Sequence, residues 1–267
     1  MNLEYTNFKN KGQFVLTNFS CKSSLELLDQ KGLYKIVWCR KHEMNLEVDG
    51  FEVNLKKDQI IFCTPLNIID LNRSSEGIIS FVFNKEFFCI KAHDDQVSCN
   101  GLLFFGSSQP QIISLKEKDK KIFNIIFELF EEEFSVKDQI QGEMLRTLLK
   151  RILIRSTKII KEGIPEPDLP NAHVDIIRKY NILVEEHFHE WHQVKDYADL
   201  LFKSPSTLSN LLKRFGEKSP LTIINKRIFL EAKRLLLFSD KNYEEIASSL
   251  GYKNKGHFLN FLKTMKD

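Results

Sequence analysis

No stretch of this 267-residue sequence approaches the roughly 18 consecutive apolar residues of a membrane-crossing helix, so a spanning protein is not expected. Met1 to Asn10 lack the basic-then-apolar order of a secretory signal peptide, and a cytoplasmic location is the expectation. The five cysteines (Cys21, Cys39, Cys63, Cys89, Cys99) contain no CxxC pair, which removes the zinc-ribbon and thioredoxin patterns. Reduced, buried thiols are expected instead, because none has a recognisable activating neighbour. There is no glycine-rich phosphate loop and no serine-nucleophile elbow. Metal-dependent chemistry on strands would need clustered histidines, and the β-rich region has only His42 and His93, with no His-x-His. No catalytic residue, metal or cofactor is therefore expected.

Charge is also scarce in one sense: the net value is only +3. Its distribution says more. From Asn171 onward there are 16 basic and 12 acidic residues, against 23 and 24 before it. Leu200 to Gly216 holds Lys203, Lys213 and Arg214 with no acid, and Ile246 to Lys266 holds Lys253, Lys255, Lys263 and Lys266 with none. Two acid-free basic windows suggest two surfaces meant for phosphate.

What is present begins with strands. Leu33 to Cys39 is an apolar run suited to a buried strand. Leu46 and Val48, then Val53 and Leu55, alternate about the hairpin signal Asp49-Gly50. Ile60 to Cys63 and Ile78 to Phe83 continue the series to about residue 110, as a small barrel or sandwich. The period then lengthens. Lys118 to Phe134 carries Ile122, Ile125, Ile126, Leu129 and Phe130 at helical spacing, with Phe123, Phe127 and Phe134 on another side. Gln139 to Ile160 is a second helix, striped by Met144, Leu145, Leu148, Leu149 and Ile152. Dimerisation is the favoured use of helices 118–160, with packing inside one chain as the alternative. Residues 161–171, KEGIPEPDLPN, hold three prolines and a glycine without periodicity and read as an extended linker between a domain at 1–160 and one at 172–267.

The last part contains an internal repeat. Leu208, Leu211, Leu212 and Phe215 are spaced i, i+3, i+4, i+7, and Phe258, Phe261, Leu262 and Met265 repeat that spacing fifty positions later. A shorter helix precedes each, Gln193 to Phe202 and Tyr243 to Leu250, with Ala198 and Ala247 where two helices cross closely. Helix, tight turn and basic second helix make a helix-turn-helix, here twice. Pro220 to Phe238 between them reads as one spacer helix of about 28 Å, close to the ~34 Å between successive major grooves. Outward positions of the second helices are Ser206, Thr207, Ser209, Asn210, Lys213 and Arg214, then Lys255, His257, Asn260 and Lys263. Short hydroxyl and amide side chains suit base edges; Lys203, Lys213, Arg214, Lys253 and Lys263 suit phosphate.

The segments YADLLFKSPSTLSNLLKRFGEKSP (197–220), RIFLEAKRLL (227–236) and EEIASSLGYKNKGHFLNFLK (244–263) together resemble the AraC/XylS family of transcription regulators. The resemblance implies sequence-specific binding of double-stranded DNA, with Ser206, Ser209, Asn210, Lys255, His257 and Asn260 facing bases. It also implies a cupin-like sensing domain and dimerisation helices in front, so the expected fold class is α+β. Three departures set expectations. Phe202 replaces the turn glycine of the first unit, so that turn is expected to be built differently or to use Phe202 for packing. Gly256 and Leu259 stand where polar contact residues often occur in the second unit. The family's closing helix does not follow the second unit here, so the expectation is either a naturally short protein or a second unit that is more exposed and only marginally stable.

HFHEWH (187–192) resembles HExxH but is one residue short, and solvated or helix-end histidines are expected. The reading is a dimeric activator or repressor governed by a small molecule in the barrel interior, lined by Trp38, Phe62 and Phe81, with RNA polymerase as a possible partner and no membrane. One alternative is a dimeric interaction protein with weakened DNA binding; another is a cupin-type metalloenzyme.

Overall fold

A computed structural model describes residues 1–30, 32–71, 77–90, 92–93, 102–104, 110–163, 171–214 and 218–265. The chain divides into two compact units, Met1–Phe104 with Pro110–Gly163, and a second covering Ile164–Asp267.

The first unit is antiparallel β with helices. A six-stranded sheet has the order β1 (Asn2–Asn7), β2 (Gly12–Thr17), β8 (Ile78–Asn84), β3 (Leu33–Cys39), β6 (Gln59–Cys63), β9 (Gln111–Ser114). A three-stranded sheet runs β5 (Phe51–Leu55), β4 (Met44–Val48), β7 (Ile69–Asp70). Asp49 and Gly50 both take positive φ, 55° and 78°, giving the tight β4–β5 turn that the sequence signals. Val37, Cys39, Ile61, Cys63 and Val82 of the larger sheet share a core with Leu46, Val48, Leu55 and Ile69 of the smaller one. Two facing sheets thus replace the single closed barrel suggested by the resemblance, among the described residues. A helix, α1 (Lys22–Asp29), adds Leu27 and Leu28 to that core.

Alternation along each strand sends the neighbouring residues to the other face. There Phe14, Trp38 and Phe81 meet a helix, α2 (Glu117–Ser135). Phe14 stacks on Phe130 at 5.3 Å, Trp38 meets Phe123 edge-on at 5.9 Å, and Phe81 lies 5.2 Å from Phe130. The buried stripe of α2 is Phe123, Ile126, Phe127 and Phe130; Ile125, expected inside, is exposed. Helical phase decides it: Phe123, Ile126, Phe127 and Phe130 are spaced i, i+3, i+4, i+7 toward the sheet, which leaves Ile125 on the opposite side. A second long helix, α3 (Gln141–Gly163), buries Leu145, Leu148, Leu149, Ile152 and Leu153, while Met144 stays exposed. Arg155 Nε donates to Oδ1 of the buried Asp119 at 2.7 Å, tying α3 to α2. Much of the apolar surface that suggested dimerisation is therefore buried within one chain. The linker expected at 161–171 is shorter: Lys161–Gly163 end α3 and Asn171 opens the next helix, while residues 164–170, together with Cys99 and Phe215, lie outside the described residues.

The second unit is helical: α4 (Asn171–His187), α5 (Val194–Leu200), α6 (Pro205–Arg214), α7 (Pro220–Phe238), α8 (Tyr243–Ser249) and α9 (Lys255–Thr264). Ser219 accepts the Thr222 N–H at 3.3 Å and Pro220 opens α7, a cap followed by proline at the first helical position. Alpha7 is more than a spacer. Its Ile223, Ile224, Ile228, Phe229 and Ala232 are buried in a core that also takes in Leu208, Leu211 and Leu212 of α6 and Phe258 and Leu262 of α9. A buried ion cluster reinforces it: Arg227 Nε and Nη2 donate to Glu185 at 2.6 and 3.0 Å, and Nη1 to Glu231 at 3.3 Å.

Candidate nucleic-acid interface

Each of the paired short helices ends in the same backbone arrangement. In the first, the N–H of Phe202 reaches the carbonyl of Asp199 at 3.0 Å and that of Lys203 reaches Ala198 at 2.9 Å. In the second, Gly251 bonds Ser248 at 3.1 Å and Tyr252 bonds Ala247 at 2.9 Å. Both are six-to-one helix terminations that need one left-handed residue, supplied by Phe202 at φ 54° and Gly251 at φ 77°. The expectation that the phenylalanine changes the turn is overturned: Phe202 adopts the glycine conformation. Nor does it pack, since it is 92% exposed. Ala198 and Ala247 are buried, where a larger side chain would force the paired helices apart.

The second helix of each pair is capped by a polar side chain. Ser204 Oγ accepts from Thr207 N–H at 3.1 Å, and Asn254 Oδ1 from His257 N–H at 2.9 Å. Capping fixes where the helix starts, and so which residues face out. Ser206, Thr207, Asn210, Lys213 and Arg214 are exposed on α6, with Ser209 half-buried and Lys203 exposed in the turn. Lys255, His257, Asn260 and Lys263 are exposed on α9, with Lys253 exposed before it. Leu208, Leu211 and Leu212 occupy the inner side of α6, as Phe258 and Leu262 do on α9. Every position assigned to DNA from the sequence thus lies on the outer side or in the turn.

Two details refine the assignment. The Ser206 and Thr207 hydroxyls each lie 2.8 Å from Ser204 Oγ, gathered about the cap at the positive end of the α6 dipole. Lys255 Nζ lies 6.0 Å from the Tyr243 ring centre, a cation–π contact worth about 0.5–1 kcal/mol that holds the ammonium toward α8.

The histidine run belongs to this architecture. His187 stacks on Trp191 at 3.9 Å. His192 is half-buried rather than solvated: Nε2 lies 2.9 Å from the carbonyl oxygen of Leu250, and the ring lies 4.8 Å from Tyr252. Burial lowers its pKa from the ordinary histidine value. His192 therefore fastens the segment preceding the first pair to the turn of the second. Among the described residues, no group of three or more His, Cys, Asp or Glu could hold a metal.

In the first unit, Trp38, Phe62 and Phe81 do not line the space between the sheets. All three lie on the helix-facing side, where Phe62 meets Phe104 edge-on at 5.7 Å. A residue the sequence reading passed over does face the inter-sheet core. Lys35, opposite Cys63 in the β3–β6 register, is 1% exposed, and burial lowers its pKa. Its signal was visible as a lysine inside the apolar run LYKIVWC.

Residues 197–267 match a family model described as a helix-turn-helix domain. No curated protein sequence matches the chain. Among solved structures, ToxT from Vibrio cholerae is similar at 15% identity over 99% of this chain and 92% of that one, with a TM-score of 0.41. A structure of ToxT with bound unsaturated fatty acid is similar at 17% identity over 88% and 83%, TM-score 0.40. The AraC-like transcriptional activator CuxR is similar at 11% identity over 83% and 73%, TM-score 0.29. The family match, not these distant likenesses, connects the helical unit to DNA. No helix among the described residues is long and apolar enough to cross a membrane.

Proposed function

We propose that this chain, whose residues 197–267 match a helix-turn-helix domain, is a cytoplasmic transcription regulator of the AraC/XylS type that reads DNA with both of its helix pairs. The observation that carries the reading is the matched construction of the two pairs. The same left-handed turn, the same buried alanine and a capped second helix present basic and short polar side chains outward twice in one unit. Ser206, Thr207, Ser209, Asn210, Lys255, His257 and Asn260 read base edges, while Lys203, Lys213, Arg214, Lys253 and Lys263 hold phosphates. The front domain, extending to the end of α3 at Gly163, takes up a small-molecule effector, and the segment at 164–170 links it to the DNA-binding domain that begins with α4. Ile125, Ile140 and Met144, exposed on and beside α2 and α3, support pairing of two chains through these helices. RNA polymerase is the partner of such a regulator when it activates, and the protein is not an enzyme.

Salt-dependent titration with duplex DNA tests the reading. Affinity should fall with salt at a log–log slope of several units, in proportion to the phosphates contacted. A flat response would remove DNA binding from the account.

A further inference from the structure

Phe202 combines two unfavourable circumstances in one residue: its ring is in water and its backbone sits at φ 54°. Left-handed backbone strains a bulky residue, and an exposed ring gains nothing from burial. No packing inside the fold offsets either term, because the side chain is almost wholly exposed. Strain kept without an internal return points to a contact outside the chain.

The place of this ring is fixed. Leu201 before it packs on the helical core, and the N–H groups of Phe202 and Lys203 are tied to the carbonyls of Asp199 and Ala198. Ser204, two residues on, caps α6 by accepting the Thr207 N–H. Phe202 therefore stands at the entry to α6, next to the exposed Lys203 and at the same helix end as the exposed Ser206 and Thr207. Leu200 to Arg214 holds Lys203, Lys213 and Arg214 and no acid, so the surroundings attract a polyanion. Beside each phosphate a duplex presents one apolar surface, the C–H face of the deoxyribose.

We infer that Phe202 is a DNA contact of the first helix-turn-helix unit, its ring lying on the deoxyribose beside the phosphate held by Lys203. The inference rests on DNA binding by this helix pair and adds to it an apolar grip that the second pair lacks. There Gly251 has the same place, and a Cβ on it would lie 2.4 Å from the His189 carbonyl oxygen. The two units thus hold the duplex unequally. The ring neutralises no phosphate and releases no counterion, so its contribution is independent of salt. It is also independent of sequence, because every nucleotide carries the sugar.

The test uses the full chain and two labelled duplexes of equal length, one carrying the segments it selects from a random pool and one scrambled. Phe202→Asn removes the ring and keeps a residue suited to left-handed backbone; Phe202→Leu keeps an apolar side chain. Phe202→Asn should weaken both duplexes roughly five- to tenfold, as partial burial of a ring implies. The salt slope should not change, and the urea midpoint should be no lower than that of the native chain. Phe202→Leu should retain most of the affinity. Asn210→Ala and Lys213→Ala are measured alongside. If these two weaken binding while Phe202→Asn stays within about twofold of native, the ring contact is overturned and DNA binding by α6 stands. If none of the three weakens binding, α6 does not face the duplex and both fall. Two further results overturn the sugar assignment: a shallower salt slope in Phe202→Asn, which places the loss on Lys203, and a loss confined to the selected duplex that disappears once its thymines are replaced by uracil, which places the ring on a thymine methyl.

Discussion

Phe202 and Gly251 occupy the same place in the two helix-turn-helix turns, and both have left-handed backbone, at φ 54° and 77°. Their surroundings differ. Phe202 is almost wholly exposed, whereas a Cβ on Gly251 would collide with the carbonyl oxygen of His189. One position tolerates a side chain at a conformational cost, and the other has no room for any.

Phe202→Gly should therefore stabilise the protein. The left-handed conformation costs a non-glycine residue about 1–2 kcal/mol, partly offset by the extra entropy glycine loses on folding. A net gain of about 0.5–1 kcal/mol is expected, read as a higher urea midpoint at unchanged m-value.

Gly251→Ala should do the reverse, and more strongly. Left-handed strain and the clash with His189 add to a loss of about 2–4 kcal/mol. Thermal unfolding of the two variants side by side checks the asymmetry; similar effects of the same sign would refute it.

His192 predicts a pH dependence. Its pKa is lowered in the folded state by burial, so the unfolded chain binds the proton more readily. The stability tied to neutral His192 is full above the ordinary histidine pKa of about 6.5 and is lost as pH falls below it. His192→Gln should flatten that part of the stability curve between pH 7.5 and pH 5, endpoints chosen at about one unit or more either side of that pKa.

Arg227 bridges Glu185 and Glu231 beneath the Phe188 ring. Arg227→Met would leave Glu185 without its cation and Glu231 with Arg234 alone, a loss of about 3–5 kcal/mol. Chemical denaturation measures it, and Glu185→Gln with Arg227→Met should recover part of the loss.

On DNA, Asn210→Ala and Lys213→Ala should separate. The first should cost about 1–3 kcal/mol on a preferred site and relax one base position. The second should weaken all sequences alike and make the salt slope shallower by about one. Anisotropy titrations at two salt concentrations distinguish the two; identical profiles would place α6 wrongly.

Much of this was legible where short-range chemistry decides. The run from Leu33 to Cys39 is the observed β3, and the Ser219-Pro220 start and apolar body of α7 give its observed limits. The fifty-residue repeat likewise identified Leu208, Leu211, Leu212, Phe258 and Leu262 as inner residues, whereas Phe261 and Met265 are only half-buried. What failed depends on contacts between distant segments. Beta1 alternates between exposed and half-buried residues and carries little apolar signal of its own. Which apolar face α2 turns inward, that of Phe123 and Phe127 rather than that of Ile125, depends on the sheet beneath. His192 finds its partner 58 residues away at Leu250, and nothing local announces it. Lys35 carried a readable signal, a cation inside an apolar run, whose meaning needed the strand register.

Selection of bound duplexes from a random pool with the purified full-length chain tests the central claim most directly. Two enriched segments about one helical turn apart, roughly 10 base pairs, are the expected result, because two similarly built helix pairs present reading faces. No enrichment at either of two salt concentrations would contradict it.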